Sequence, residues 1–453
     1  MGMYDTSLYY KLQKNDDNTF TVKPGGYSAA SHATELDGED DGVLYTSEKI
    51  EFWSQVGNNT IETQIEGFYT GGYVVHVDDE YIFLTNMAYS ENHRFSLQTT
   101  DTGHSGLPIC FLKGTMISTA SGETRVECLQ IGDEILTASK ELKTIKWVGF
   151  RKFNRARIPE SSRLRTFPVR IVKGAFAENV PHRDLTVSPG HRFNFDGALV
   201  PALSLVNGIT IIQDFDVQQF EYYHVELEKF DMLIAEGAVA ESYLEVGDNR
   251  NSFQNANTVA ANPDFGPAPE RVFLPEYVQK ITSEIIQPIR LELFKRAEVL
   301  MGAARTADTN LRIEVNGQVI QPNTPCKKKG LYRFELPSGY NGDIHILSNS
   351  AVVRETSLIN RTDMRVIGVG LSGIALVVDG MRREINLNVS TLSGFNESQE
   401  MEGMLMRWTT GEAVIPAGLV PATKESVILE LNVLRAHMYW VPSIHTERAR
   451  KAA

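Results

Sequence analysis

A thiol, a hydroxyl and an imidazole carry the chemistry this sequence offers. Cys110 opens the segment CFLKGTMISTASGETRVECLQIGDEILT, where an apolar residue, a Lys-Gly-Thr turn and an alternating run (Met116, Ile117, Ser118, Thr119) put the thiol at the head of a β-unit. A thiol so placed can attack the peptide bond before it, Ile109–Cys110. In the segment DLTVSPGHRF, His191 follows Ser188 by three residues across a Pro189-Gly190 turn. A neutral imidazole there can polarise an amide or take a proton from a thiol, and the Ser188 hydroxyl can hydrogen-bond the carbonyl under attack. The other cysteines, Cys128 and Cys326, read as structural. Three widely spaced cysteines with no CxxC pair provide neither a disulfide framework nor a zinc knuckle.

The elements that must position these groups are strands, and the chain reads as mainly β. Residues 110–248 contain short strands (TMIST, TIKWVGF, DLTVS, RFNF, FEYYHVELE, DMLIAEG) separated by turn pairs such as Ser121-Gly122, Asp196-Gly197 and Asn207-Gly208, with no long helix. Residues 1–109 read as a polar leader followed by a small β domain. The acidic, Gly-rich stretch from Gly25 to Gly42 reads as flexible loop, and its cluster Glu35–Asp41 as solvated because it lacks the ligand spacing of a calcium loop. Residues 101–109 read as a loop that presents an accessible peptide bond, with Pro108 biasing Leu107 toward an extended backbone and His104 solvated. Residues 249–307 read as a linker and a helical segment, with Val278, Ile281 and Ile285 at helical spacing up to Pro288 and a second run from Leu291 to Ala304. Residues 308–453 read as a C-terminal β domain of sandwich type, with hairpins at Asn316-Gly317 and Asp379-Gly380.

In order, the motifs C-F-x-x-G-T (Cys110–Thr115), V-E-x-L-x-x-G-D (Val126–Asp133), S-x-x-H (Ser188–His191) and YYHVELEKFDMLIAEG (Tyr222–Gly237) resemble the Hint superfamily of hedgehog and intein autoprocessing domains. The likeness is greatest to bacterial Hint-domain proteins with β-rich flanks, in which phrases like L-S-N-S and R-W-T-x-G-x-A also follow the Hint unit. The resemblance implies that Cys110 converts the Ile109–Cys110 amide to a thioester and that His191 assists at the scissile nitrogen. Ser188 stands where many relatives have Thr, and His224 and Asp184 fall in motif segments as second-rank candidates. Two departures matter. Phe230 stands where many relatives have His, with Asp231 expected on the opposite face of that strand, and no His-Asn ending follows GAVAESYL, since Arg250 precedes Asn251-Ser252. Cleavage or acyl transfer is therefore expected rather than splicing.

Charge bounds the partners. A net charge of −13, with no dense Lys/Arg run, argues against nucleic acid and anionic membrane surfaces. No stretch is long and apolar enough to span a membrane, and the N-terminus lacks a signal-peptide pattern. No cofactor or metal is expected. Three functions compete: a self-processing protein whose substrate is its own N-terminal segment, passed to water or to an acyl-acceptor nucleophile; a non-cleaving protein whose flanking domains bind a surface, carbohydrate or protein on a degenerate Hint scaffold; and a conventional cysteine hydrolase, disfavoured because no helix N-terminus adjoins Cys110 to activate it.

Overall fold

A computed structural model gives the fold of residues 3–16, 19–24, 27–35, 49–54, 59–69, 72–77, 80–85, 92, 94–97, 109–243, 253–256, 281–323, 330–340, 342–401, 403–421 and 426–442. The fold is mainly β. It divides into two compact units, residues 1–301 with 358–362 and residues 302–357 with 363–453. Residues 101–108, including Leu107, Pro108 and His104, lie outside the described residues, as do Val278, Asn251-Ser252 and Cys326.

Within the first unit, residues 3–96 supply an eight-stranded antiparallel sheet. Its first strand, Met3–Lys14, pairs with Glu80–Thr85 on one side and with both Thr19–Val22 and Tyr27–Glu35 on the other. The described part of the polar leader is therefore strand, while residues 25–26 and 36–42 of the acidic stretch lie outside the described residues. Tyr27–Glu35, expected as loop, is a strand hydrogen-bonded to Met3–Lys14 and to Lys49–Ser54. Backbone pairing on both sides overrides a composition poor in large β-formers.

Residues 111–241 form a second sheet of thirteen strands, which folds over two cores. One is aliphatic, built from Phe111, Ile117, Ile135, Ile145, Val187 and Leu233 among others. The second is aromatic and encloses Cys110 with Trp147, Phe167, Phe220, Tyr222, Tyr243 and Phe253. The axis of this sheet is the pairing of Leu142–Asn154 with Gln219–Leu227, whose register shifts between Ile145 and Trp147. The extra residue is Lys146, which is buried with Glu226 at 3.3 Å. A bulge of this kind twists the strand and re-aims the next side chain, here Trp147. The only helices here are single turns, such as Ala202–Leu205, as the hairpin-rich sequence implies.

The helical segment differs from expectation. It is one helix, Ser283–Met301, with Pro288 inside it rather than at its end. It stops where Gly302 takes φ +61°, and Ala303–Thr306 continues as a strand. Ile286 and Leu293 join the aliphatic core of the 111–241 sheet, and the buried Arg290 guanidinium donates to the Ser204 and Val206 carbonyls at 2.6 and 3.1 Å. The segment is thus packed onto the β-unit rather than strung after it.

In the second unit, nine strands form one sheet that curls toward closure, Gln318–Ile320 lying beside Leu331–Leu336. Asn316-Gly317 and Asp379-Gly380 both have positive φ, as tight hairpins of this handedness require.

Candidate functional site

The geometry at Cys110 follows from a two-residue strand. Phe111–Leu112 is held between Leu185–Val187 and Gln219–Leu227, with Phe111 opposite both Val187 and Tyr223. The chain then turns at Gly114, whose φ of +92° excludes most side chains. The Gly114 amide donates to Glu127 Oε2 at 2.8 Å, so two of the motifs read in the sequence fasten each other.

Because Val187 pairs with Phe111, the next residue on each strand also meets. The Cys110 amide donates to Ser188 Oγ at 2.8 Å, and the Ser188 amide donates to the Cys110 carbonyl at 2.9 Å. Ser188 was expected on the carbonyl under attack. Its hydroxyl is instead on the nitrogen of the Ile109–Cys110 peptide bond, because Pro189-Gly190 turns the chain away just after Ser188. Ile109 itself is half-buried, its Cγ1 3.9 Å from where a Cβ on Gly190 would sit.

The same turn delivers His191, whose amide donates to the Ser188 carbonyl at 3.1 Å. Its ring packs on Phe111 at 4.2 Å between centroids and lies 5.8 Å from the ring of His224. His191 is fully enclosed, and neither ring nitrogen makes a hydrogen bond. Burial holds its pKa well below the usual imidazole value, with the neighbouring His224 ring and the Arg192 guanidinium adding to the effect and the nearby polar backbone of Cys110 opposing it. Burial likewise lowers His224 to about 3, against a backbone contact with Ser242. Both rings are neutral at pH 7.

Cys110 is wholly buried. Desolvation pushes its thiol well above the usual value, only partly offset by the Arg151 guanidinium. The enclosure depends on residues that local sequence did not single out. His224 is paired with Gly149, and a Cβ at Gly149 would collide with the Trp147 ring and come within 2.6 Å of Phe253. Only glycine lets the Trp147 and Phe253 rings meet, 5.0 Å apart, over the strand. Phe253 comes from the stretch read as linker. Gln254 donates to the Phe150 carbonyl at 3.0 Å, and Asn255 accepts from the Phe150 amide and donates to the Val148 carbonyl at 2.9 and 2.8 Å, copying a strand with one side chain.

The remaining sequence candidates fall elsewhere. Asp184 is exposed and occupied by the Lys173 amide at 2.9 Å and Arg170 at 3.3 Å. It sits at the opposite end of Leu185–Val187 from Ser188, about 13 Å along a strand by its rise per residue. The structure does not bring it to the thiol. Phe230 and Asp231 were expected within a strand; they lie in the irregular connection between Gln219–Leu227 and Met232–Ala235. There the Asp231 amide donates to Ser242 Oγ at 3.0 Å and its carboxylate accepts from the Met232 amide.

One group of potential metal ligands occurs among the described residues, Glu123, His182 and Glu236. Glu236 is already engaged by Arg183 at 2.8 and 2.9 Å and by the Met116 amide at 2.7 Å, and His182 Nε2 by Glu123 at 2.7 Å. Its donors serve the fold of the Met116–Thr119 hairpin. No helix among the described residues is long and apolar enough to cross a membrane.

Residues 109–247 match the family model of the Hint domain. Solved structures similar to the chain include the MchDnaB-1 intein (13% identity, 29% of this chain and 99% of that one, TM-score 0.22) and the gp41-1 intein (14% identity, 30% and 98%, TM-score 0.22). A bacterial intein-like domain from Clostridium thermocellum is also similar (16% identity, 30% and 99%, TM-score 0.23). No curated protein matches the chain. The match to the Hint domain is thus confined to residues 109–247, with further β structure on either side.

Proposed function

We propose that this protein cleaves or transfers its own backbone at Ile109–Cys110. The observation that carries the reading is the 2.8 Å hydrogen bond from the Cys110 amide to Ser188 Oγ, with His191 three residues beyond that hydroxyl. Cys110 Sγ attacks the Ile109 carbonyl carbon, the S–C bond forms, and the C–N bond breaks to leave a thioester on Cys110. The thiol proton leaves through the neutral His191 ring, which has an unoccupied acceptor nitrogen, and arrives at the Cys110 nitrogen as that nitrogen becomes an amine. Ser188 Oγ holds the nitrogen throughout. A raised thiol pKa means that no standing thiolate is available, so proton transfer accompanies attack. Water or another nucleophile then resolves the thioester, releasing or transferring residues 1–109.

The test follows the mass of the intact chain and of Cys110→Ala, with and without hydroxylamine. The wild type yields a fragment ending at Ile109, or its hydroxamate, and the variant none. A wild-type chain that stays at full length under both conditions overturns the proposal. One observation favours a second reading: the complete burial of Cys110, together with Phe230, suits a Hint scaffold that no longer reacts and leaves its flanking domains to bind a surface or a carbohydrate. That uncleaved outcome is its expectation.

A further inference from the structure

A cleft of about 580 Å³ opens against the aromatic cluster around Cys110. It shares Ile158 with that cluster, and its wall includes Thr166, whose carbonyl accepts the buried Tyr222 hydroxyl at 2.9 Å. Its charged lining is entirely cationic: Arg151, Lys152 and Arg157, with no carboxylate. Arg151 is half-buried, and its guanidinium partly offsets the desolvation that raises the Cys110 thiol. Lys152 is paired with Glu221 at 3.3 Å. Arg157 is exposed and forms no ion pair among the described residues.

This cationic grouping runs against the whole chain. Residues 151–165 (RKFNRARIPESSRLR) hold six Lys or Arg and one Glu, in a protein of net charge −13. The sequence reading found no dense basic run because these cations are interleaved with other residues. The fold gathers three of them by ending the Leu142–Asn154 strand here and turning it through two short 3-10 turns, Arg155–Arg157 and Glu160–Ser162. Cations facing a shared cleft repel one another unless an anion occupies it. The volume suits a small molecule, and the guanidinium fork suits phosphate and carboxylate oxygens.

We infer that this cleft holds the acyl acceptor of the Cys110 thioester, and that the acceptor is a small molecule bearing an oxyanion, phosphate or carboxylate, beside its attacking amine or hydroxyl. The inference rests on the proposed thioester chemistry. The acceptor nitrogen attacks the Ile109 thioester carbonyl, the C–N bond forms, and the C–S bond breaks with its electron pair returning to Sγ. The proton lost by the amine restores the thiol, so no other reactant is consumed.

Binding is measured first, by calorimetry on full-length Cys110→Ala with O-phosphoethanolamine, β-alanine and ethanolamine. The expectation is that at least one anionic amine binds tenfold or more tightly than ethanolamine, which separates phosphate from carboxylate as the preferred group. Arg157→Gln in the same background is expected to weaken that binding about tenfold at an unchanged unfolding temperature. No binding, equal binding of all three, or binding indifferent to Arg157→Gln overturns the inference. Reaction is measured next, on the wild type, as the mass gained by the fragment ending at Ile109. The anionic amine is expected to reach half-maximal adduct at a concentration at least tenfold below that of ethanolamine. If hydroxylamine releases the fragment but the anionic amine has no advantage, the acceptor inference fails and the cleavage reading stands. If hydroxylamine also releases nothing, the cleavage reading has failed.

Discussion

Two buried polar residues, each on a central strand or next to one, are treated in opposite ways. Glu430, in the C-terminal sheet, is 5% exposed and accepts from Arg333 at 2.8 Å and Arg382 at 2.9 Å. Burial alone would raise its pKa, but the two guanidinium groups outweigh it and hold the carboxyl below the usual range. His191, in the Hint domain, is fully buried with both ring nitrogens unbonded and its charged form suppressed. A buried polar atom without a partner costs about 1–3 kcal/mol, so a fold that satisfies Glu430 has no stability reason to leave His191 open. On the proposed function, the difference separates a residue kept for the sheet from one kept beside a particular bond.

The comparison breaks most visibly at the thiol and the imidazole. Cys110→Ala is expected to abolish the Ile109 fragment altogether, and His191→Gln to slow its appearance by about 100-fold or more, the usual loss on removing a proton-transfer group. Glu430→Gln is expected to do the reverse, lowering the stability of its unit by about 2 kcal/mol, since its Arg partners are half-exposed, while leaving the fragment's rate unchanged. Mass spectrometry for the rate and urea unfolding for stability separate the two. A His191 variant that is destabilised but still cleaves at the normal rate would place His191 in the same class as Glu430.

Acid should act on the Hint domain through the same suppressed rings. His191 and His224 are both neutral in the fold, with pKa values below the ordinary 6.5. Below pH 6.5 the unfolded chain binds protons there that the folded chain refuses. Stability conferred by the two rings is therefore intact above pH 6.5 and falls as the pH drops, by about 1.4 kcal/mol per pH unit for each ring, until the folded ring itself titrates. For His224 that point lies near pH 3. Urea midpoints read in a Trp53→Phe, Trp408→Phe, Trp440→Phe background, where Trp147 is the remaining fluorophore, should fall between pH 6.5 and 4, and His224→Gln should flatten the fall. An unchanged slope in that variant would show that His224 is not one of the groups responsible.

Ser188 gives a smaller effect. Ser188→Ala removes the acceptor on the Cys110 nitrogen and is expected to slow cleavage about tenfold, equivalent to a single hydrogen bond of about 1.4 kcal/mol, while Ser188→Thr restores most of the rate. Equal rates in all three proteins would reduce the 2.8 Å contact to a structural one.

Local spacing carried the thiol, the S-x-x-H turn and the Asn-Gly and Asp-Gly hairpins, because each depends on residues within a few positions of one another. It misassigned the Ser188 hydroxyl, since which atom it meets depends on the pairing of Phe111 with Val187, 76 residues apart. It lost Tyr27–Glu35 because polar composition hides a strand whose backbone is paired on both sides. The enclosure of Cys110 was illegible for a related reason. Gly149 matters only because the register sets it opposite His224, and Phe253 only because its segment returns to a strand about 100 residues earlier. Asp184 shows the converse, a motif position whose carboxylate the fold spends on Lys173 and Arg170.

That return of the chain sharpens the comparison at its weakest link. The family model ends at residue 247, yet Phe253 belongs to the thiol's enclosure and Asn255 makes two hydrogen bonds to the strand carrying Trp147. If residues 253–256 are part of the working domain, Asn255→Ala should cost about 1 kcal/mol, because the Phe150 amide and the Val148 carbonyl lose their partner but lie close enough to the surface for water to replace part of it. The sharper readout is the thiol. Loosening the tetrapeptide draws Phe253 from Trp147 and uncovers Cys110, so the reaction of Cys110 with a disulfide reagent, measured in a Cys128→Ser, Cys326→Ser background, should accelerate in Asn255→Ala by roughly the factor of five that 1 kcal/mol of local opening allows. A rate unchanged by Asn255→Ala would mean that the enclosure opens through some other element, and the domain would then end where the family model does.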